Sequence, residues 1–320
     1  MKKIKCAVIG IGYLGRFHAQ KFQQLNSVEL VALCDKNIDA CHAVCEELGV
    51  PGVYDYRELF GKVDAVSIAA TTTAHFQIAK DCLSEGIHVL IEKPITETVA
   101  QGLELIKLAE IHGVKLQVGH LERFNSARLA LDDHLDRPLF IESQRLAPFN
   151  PRGTDVNVIL DLMIHDIDII QTIVHSPIQH IEAQGAPVLT QSIDIANARI
   201  TFENQCVANV TASRISFKTE RKTRIFQKNS YISIDYHNKQ FAVFKKGEGE
   251  MFPGIPNISQ HQSIFDKGDA LFEQIQAFIN CILTDSTPLV TGEEGCAALE
   301  TAQKISSLIE HQLSAHYAEC

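Results

Sequence analysis

Gly10-Ile11-Gly12-Tyr13-Leu14-Gly15 follows the apolar run Cys6–Gly10 and leads into a helical pattern over Leu14–Leu25. Glycines at this spacing meet three needs. Gly10 ends the strand in a tight turn, Gly12 lets the backbone approach a pyrophosphate, and Gly15 lets the helix pack closely on the strand. Tyr13 and Leu14 begin that helix, whose free N–H groups and positive dipole end suit the phosphate. The next apolar run, Val28–Cys34, leads to Asp35, twenty positions beyond Gly15. A carboxylate there accepts hydrogen bonds from both hydroxyls of an adenosine ribose and repels a 2′-phosphate, so the pattern favours NAD over NADP. Lys36 pulls the other way, because its charge partly compensates a 2′-phosphate. A plain turn with a helix-capping Asp does not explain strand, glycines, helix, second strand and acid in register.

Working outward, strands and helices alternate. A helix near Ile38–Leu48 is followed by a strand Ala65–Ala70, a helix near Phe76–Glu85 and a strand His88–Ile91, then a helix near Thr98–His112 and a strand Leu116–Val118. This is the pattern of a doubly wound α/β domain with a parallel sheet covered on both faces, read over residues 1–121. A helix near Ser126–Leu135, a strand Leu139–Arg145, a loop rich in Pro, Asn and Gly, and a helix over Leu160–Val174 come next. From Ile178 to Phe244 strands follow one another, as in Asn197–Phe202 and Cys206–Ala212, so residues 122–320 are read as an α+β domain on a mostly antiparallel sheet. The Gly and Pro residues of Lys246–Gln262 predict a mobile loop. Helices near Ala270–Leu283 and Glu293–Leu313 close the chain and can pack back on the first domain. Thr291 is the expected N-cap of the second, with Glu293 and Glu294 at its positive end.

Composition narrows the partners. The formal charge of -10 argues against nucleic acid, although an acidic chain can hold an anionic small ligand in a local basic pocket. Nine scattered cysteines do not form a disulfide framework and fit a reducing cytoplasm. Cys41, His42 and Cys45 lack further ligands at metal spacing, so no metal is expected. No apolar stretch reaches the length that crosses a bilayer. The run after Lys2 and Lys3 contains three glycines and no small-x-small cleavage site, so no membrane association is expected.

Two further constellations carry chemistry. In His88-Val89-Leu90-Ile91-Glu92-Lys93-Pro94, an apolar strand ends in a charged pair and a proline at the carboxyl edge of the sheet, where ligands bind in open α/β sheets. Lys93 there either faces a ligand or projects into water. In Asp161-Leu162-Met163-Ile164-His165, acid and imidazole stand four apart on one helix face, the arrangement by which a carboxylate orients a histidine base. The apolar residues around them bury most of that helix, and polar groups on it require partners.

Together these segments resemble the GFO/IDH/MOCA family, named for glucose–fructose oxidoreductase and inositol dehydrogenase. The resemblance spans nearly the whole chain. It implies a Rossmann domain followed by a domain whose open sheet forms a homodimer or homotetramer interface, and NAD as the cofactor. It implies Lys93 as the catalytic lysine, Asp161 and His165 as acid and base, and a cis bond before Pro94. It also implies that Ala70–His75 runs along the cofactor. Thr71, Thr72, His75, Glu92, Lys93 and Pro94 are then cofactor contacts beside Gly10, Gly12, Tyr13, Leu14, Gly15 and Asp35. Thr71 stands where the family usually has Pro. Val118–Asn125 and Pro151–Asp155 look like members that oxidise nucleotide-activated sugars, UDP-N-acetylglucosamine 3-dehydrogenases among them. Arg123 and Arg152 are then diphosphate contacts, through the planar guanidinium fork, with surface ion pairing as their other reading. Asn125 and Asn157 would read sugar hydroxyls or an amide, beside Lys93 and His165 at the reacting carbon. A free sugar or cyclitol as substrate is the alternative, and a non-catalytic NAD-binding regulator a further one.

Overall fold

The structure, a computed structural model, describes residues 3–150, 156–265 and 268–318. Internal contacts group the chain into two compact units, Met1–Phe124 with Asp269–Leu299, and Asn125–Gly268 with Glu300–Cys320.

The first unit holds a six-stranded parallel sheet of β1 (Ile4–Ile9), β2 (Val28–Cys34), β3 (Gly52–Val53), β4 (Ala65–Ile68), β5 (His88–Glu92) and β6 (Leu116–Gly119), ordered β3-β2-β1-β4-β5-β6. Strands β4 and β6 are buried along their whole length, which is why the central strands read as apolar runs rather than alternations. Helices α1 (Tyr13–Gln24), α2 (Ile38–Leu48), α3 (Thr72–Ser84) and α4 (Val99–His112) connect them. Their ends follow local chemistry. Asn37 caps α2 by accepting the Ala40 N–H, and Thr98 forms a capping box with Gln101 at α4. Gly49 and Gly113 end these two helices in the left-handed conformation. Helix α3 starts at Thr72, four residues before the expected Phe76. The strand order reverses between β1 and β4, the switch point beside which doubly wound sheets bind ligands.

The second unit holds an eight-stranded sheet of β7 (Pro138–Leu146), β8 (Ile178–Ala186), β9 (Ile195–Phe202), β10 (Val207–Ser213), β11 (Glu220–Gln227), β12 (Ser230–Asp235), β13 (Gln240–Phe252) and β14 (Ile255–Ile264). The order is β14-β13-β12-β11-β7-β10-β9-β8, and every pairing is antiparallel except β7 with β10. Inward residues such as Ile141, Ala208, Val210, Ile225 and Ile232 are buried.

Two expectations are corrected in this unit. The helix read over Ser126–Leu135 is a single turn, α5 (Ser126–Leu129). Beyond it the N–H groups of Leu131 and His134 bond three residues back, a turn pattern suited to the Asp132-Asp133 pair. The loop read over Lys246–Gln262 is a paired hairpin of β13 and β14. Its glycines mark a register shift between Lys246 and Glu250 and the turn at Gly254, whose φ is 80°. Met251, Phe252, Ile255 and Ile258 are exposed, so from Lys246 onward main-chain bonds make a strand pair that buries no alternating face.

The helix read over Leu160–Val174 opens with a π-helical turn, Ile159–Met163, and continues as α6 (Ile164–Val174). Helix α7 (Ala270–Thr284) belongs to the first unit, where Ile275, Phe278 and Ile279 share a core with Phe22, Leu33 and Leu90. Helix α8 (Gly292–Ala318) starts from Thr291, whose hydroxyl accepts the Glu294 N–H while the Glu294 carboxylate accepts the Thr291 N–H.

Candidate active site

In the first unit the glycine loop shows why each glycine is there. Gly10 has a φ of 89°, and a Cβ on it would fall 2.5 Å from the Ala70 nitrogen. A Cβ on Gly15 would overlap the Gly10 carbonyl. A Cβ on Gly12 would meet nothing within 4 Å. Two glycines therefore serve packing, and the third leaves open space over the start of α1, where no side chain caps the helix. That is the geometry a pyrophosphate needs.

Asp35 does more than the sequence implied. Its carboxylate accepts the Ile11 N–H at 2.6 Å and the Asn37 N–H at 2.8 Å, tying the glycine loop to the end of β2. A carboxylate can accept further bonds, so both ribose hydroxyls remain within its capacity. Gly10, Gly12, Asp35 and Thr71 line one cavity of about 860 Å³. Tyr54 and Arg57 line it too and were missed in the sequence, because they follow the two-residue β3, too short to show a period.

The other expected cofactor residues lie outside this lining. Tyr13, Leu14 and Gly15 form the first turn of α1, and Thr72 opens α3. His75 is buried, with Nδ1 3.0 Å from the Pro94 carbonyl and Nε2 3.0 Å from that of Ala70. Burial pushes the His75 imidazole below its ordinary pKa, against the pull of these carbonyls. His75 thus straps the Ala70 loop to Pro94. The Lys93–Pro94 bond is cis, and Lys93 is half-buried at the end of β5. Glu92 turns its carboxylate into the interior, 3.1 Å from His18 Nε2.

In the second unit Asp161 lies in the π-helical turn and His165 in the first turn of α6. Both are half-buried on a helix that is otherwise mostly buried. The π-helical turn that carries Asp161 ends at Met163, and His165 follows it on α6. Asp166, beside His165, is fully enclosed. It accepts Ser143 Oγ at 2.9 Å and Arg145 Nε at 2.7 Å, which anchors α6 to β7.

Three expected substrate residues have partners within the protein. Arg123 is buried and pairs with Glu294 at 2.7 Å. Asn125 caps α5 through the Ala127 N–H and donates to the Tyr236 carbonyl at 3.1 Å. Asn157 accepts the Leu160 N–H and donates to Ser306 Oγ, each at 3.1 Å. Arg152 lies outside the described residues. Among the described residues no cluster of His, Cys, Asp or Glu could hold a metal, and no helix is long and apolar enough to cross a membrane.

A parallel sheet in this order, a glycine loop open above Gly12 and an acid at the end of β2 define a dinucleotide-binding oxidoreductase of the Rossmann type. The profile described as "Oxidoreductase family, NAD-binding Rossmann fold" matches residues 4–120, and that of the "GFO/IDH/MocA C-terminal domain" matches residues 128–232. The chain belongs to the GFO/IDH/MocA oxidoreductase family. It is 34% identical to UDP-N-acetylglucosamine 3-dehydrogenase from Acidithiobacillus ferrooxidans, over 97% of this chain and 98% of that one. A solved structure of that enzyme superposes with a TM-score of 0.91, covering 97% of this chain and 99% of the other. The scyllo-inositol 2-dehydrogenase (NAD(+)) of Bacillus subtilis is 25% identical, over 93% and 92% of the two chains. A scyllo-inositol dehydrogenase from Lactobacillus casei, solved with NAD(H) and scyllo-inositol, shares the fold at 23% identity, with a TM-score of 0.81 and coverage of 97% and 98%.

Proposed function

We propose that this protein oxidises the C3 hydroxyl of UDP-N-acetylglucosamine to a ketone with NAD, reversibly. The observation that carries the substrate is similarity to a UDP-N-acetylglucosamine 3-dehydrogenase along nearly the whole of both chains. The glycine loop held against Asp35 supports NAD over NADP, since the carboxylate suits a ribose diol and repels a 2′-phosphate.

The chemistry divides among three side chains. His165 takes the proton from the C3 hydroxyl as general base. Asp161 holds the imidazole in orientation and favours its protonated form. Lys93 donates a hydrogen bond to the same oxygen as negative charge develops on it. The bound nicotinamide supplies the hydride acceptor, so C3 loses a hydride and its oxygen a proton as the carbonyl forms. Tyr13, Leu14, Gly15, Thr71, Thr72 and Pro94 frame the cofactor. Arg152 meets the diphosphate, while Arg123, Asn125 and Asn157 shape the substrate pocket through the partners they hold.

On this reading the protein is cytoplasmic, in keeping with eight free thiols among the described residues. It is a homodimer or homotetramer through the half-exposed face of the eight-stranded sheet. Phe140, Phe226, Tyr231 and Phe244 form a ladder on that face, with successive ring centroids 5.1 to 5.7 Å apart.

The test is to incubate purified protein with NAD and UDP-N-acetylglucosamine, follow NADH, and identify the 3-keto sugar by mass spectrometry. Turnover of inositols or free sugars, with none of nucleotide sugars, would remove the substrate and leave the family. Undiminished turnover by His165→Ala would remove the mechanism.

A further inference from the structure

Strand β10 ends at Ser213, and the residue that follows it, Arg214, is buried. So is Asp194, which directly precedes β9. An enclosed carboxylate needs donors, and the chain wraps around this one to supply them. The N–H groups of Val188, Leu189 and Thr190 donate to Asp194 at 2.7 to 2.9 Å, and Arg214 Nε donates at 2.8 Å. Arg214 Nη2 reaches Thr190 Oγ1 and Ser192 Oγ, each at 3.0 Å. Nη1 serves a different segment, donating to the Val156 carbonyl at 2.6 Å.

Val156 lies just ahead of the π-helical turn that carries Asp161. The chain between them is held on several sides. The Val158 N–H donates to the Ile193 carbonyl at 3.0 Å, so the loop that wraps Asp194 also grips this strand of chain. Asn157, between these two anchored residues, accepts the Asp161 N–H on its carbonyl and the Leu160 N–H on its side chain, each at 3.1 Å, and donates to Ser306 Oγ of α8. Strand β10 packs directly against the π-helical turn. All of these residues belong to the second unit.

Stability alone does not explain the ion pair. Replacing a buried pair with apolar side chains of similar volume often leaves stability unchanged or raises it. An apolar side chain, however, cannot donate to the Val156 carbonyl. An ammonium cannot serve a carboxylate, two hydroxyls and a carbonyl from one plane, as a guanidinium does.

We propose that Arg214 is a positioning residue for Asp161. Oriented by Asp194, its guanidinium fixes the Val156 carbonyl and so sets where the π-helical turn begins and where the Asp161 carboxylate stands. This rests on the role given to Asp161 above. The brace holds at any working pH. Burial pushes the Asp194 carboxyl up, but the N–H groups of Thr190 and Val188 and the Arg214 guanidinium hold it well below its ordinary value.

The experiment uses the full-length protein and Arg214→Lys, which keeps a positive charge for Asp194 and removes the planar fork. Hydrogen exchange over residues 156–165 is read by mass spectrometry. Alongside it are measured kcat and KM for UDP-N-acetylglucosamine, and NAD affinity by calorimetry. Exchange in this segment should quicken by about fivefold or more, as one lost hydrogen bond implies. A displaced Asp161 should lower kcat roughly tenfold. KM should change by less than about threefold, and NAD affinity by less than about twofold. Exchange identical to wild type overturns the proposal, as does faster exchange with unchanged kcat. An equal rise of exchange across the whole second unit, with kcat and KM altered together, marks a purely structural pair and also overturns it. If Arg214→Lys does not fold, the double variant Asp194→Asn with Arg214→Met, which removes both buried charges, carries the same measurements and expectations. Exchange requires no substrate. A wild-type enzyme inert toward nucleotide sugars therefore overturns the proposed function alone, while the exchange result still decides whether Arg214 holds the turn.

Discussion

Replacing Asp35 with Asn separates the two tasks of this side chain. The amide oxygen can still accept the Ile11 N–H, which now reaches Oδ2 at 2.6 Å, so the glycine loop keeps its tether. What disappears is the charge, together with the oxygen that accepts the Asn37 N–H. For NAD, two charge-assisted bonds to the ribose hydroxyls become neutral ones, a loss of about 1 kcal/mol or somewhat more. For NADP, a repulsion disappears. A 2′-phosphate of charge about −1.5 at ~5 Å from the carboxylate is opposed by ~5 kcal/mol at an effective dielectric of 20. Asp35 is half-exposed at an open cavity, and ions screen that value to roughly 2 kcal/mol. Lys36 and Arg57 line the same cavity and remain to attract the phosphate. The two terms together shift the NAD/NADP preference by ~3 kcal/mol, or about 100-fold. Calorimetric titration of wild type and Asp35→Asn with each cofactor at fixed ionic strength measures the ratio directly, without any substrate. A ratio within about threefold of wild type, in a variant with unchanged thermal stability, would refute both the ribose role and the electrostatic argument.

The glycines give a contrasting pair. Gly12→Ala adds a methyl group where no protein atom lies within 4 Å, so its Tm should match wild type while NAD affinity falls at least tenfold by calorimetry. Gly15→Ala forces overlap with the Gly10 carbonyl and should lower the Tm of the apoprotein itself. Asp166→Ala removes the buried carboxylate to which Arg145 and Ser143 both donate, breaking a buried ion pair, a loss of about 3–5 kcal/mol that urea unfolding would register. Acidification should destabilise the fold in two stages. His75, its pKa lowered by burial, stays neutral while the unfolded chain takes up a proton below pH 6.5, so Tm declines as pH falls through that value, and less so in His75→Asn. Glu92, held below its ordinary value of 4.5, keeps its full contribution above that pH and loses it only as pH falls further toward its folded pKa.

What was legible in the sequence is what a local pattern records. Strands β1, β2, β4, β5 and β6 could be read because their buried positions make apolar runs, and the glycine loop because each glycine answers a backbone constraint at fixed spacing. Thr291 was legible as a cap for the same reason. The hairpin of β13 and β14 beyond Lys245 was not, because its side chains there are mostly exposed and main-chain pairing leaves no trace in residue type. The π-helical turn at Ile159–Met163 was hidden too, since one residue of altered winding does not disturb a short apolar period. Arg123 shows the limit for charge. An arginine reads equally as an anion site or an ion pair until its partner is known, and Glu294 comes from a distant stretch of the chain. Glu92 is the instructive case. Its place beside Lys93 suggested a shared ligand, yet Glu92 is the last residue of β5 and is buried. A buried carboxylate must find a donor, and the Gln274 amide is that donor, with His18 Nε2 3.1 Å away. The apolar run that carries Glu92 to the end of β5 was visible in the sequence, while Gln274, from a distant helix, could be placed beside it only by the fold.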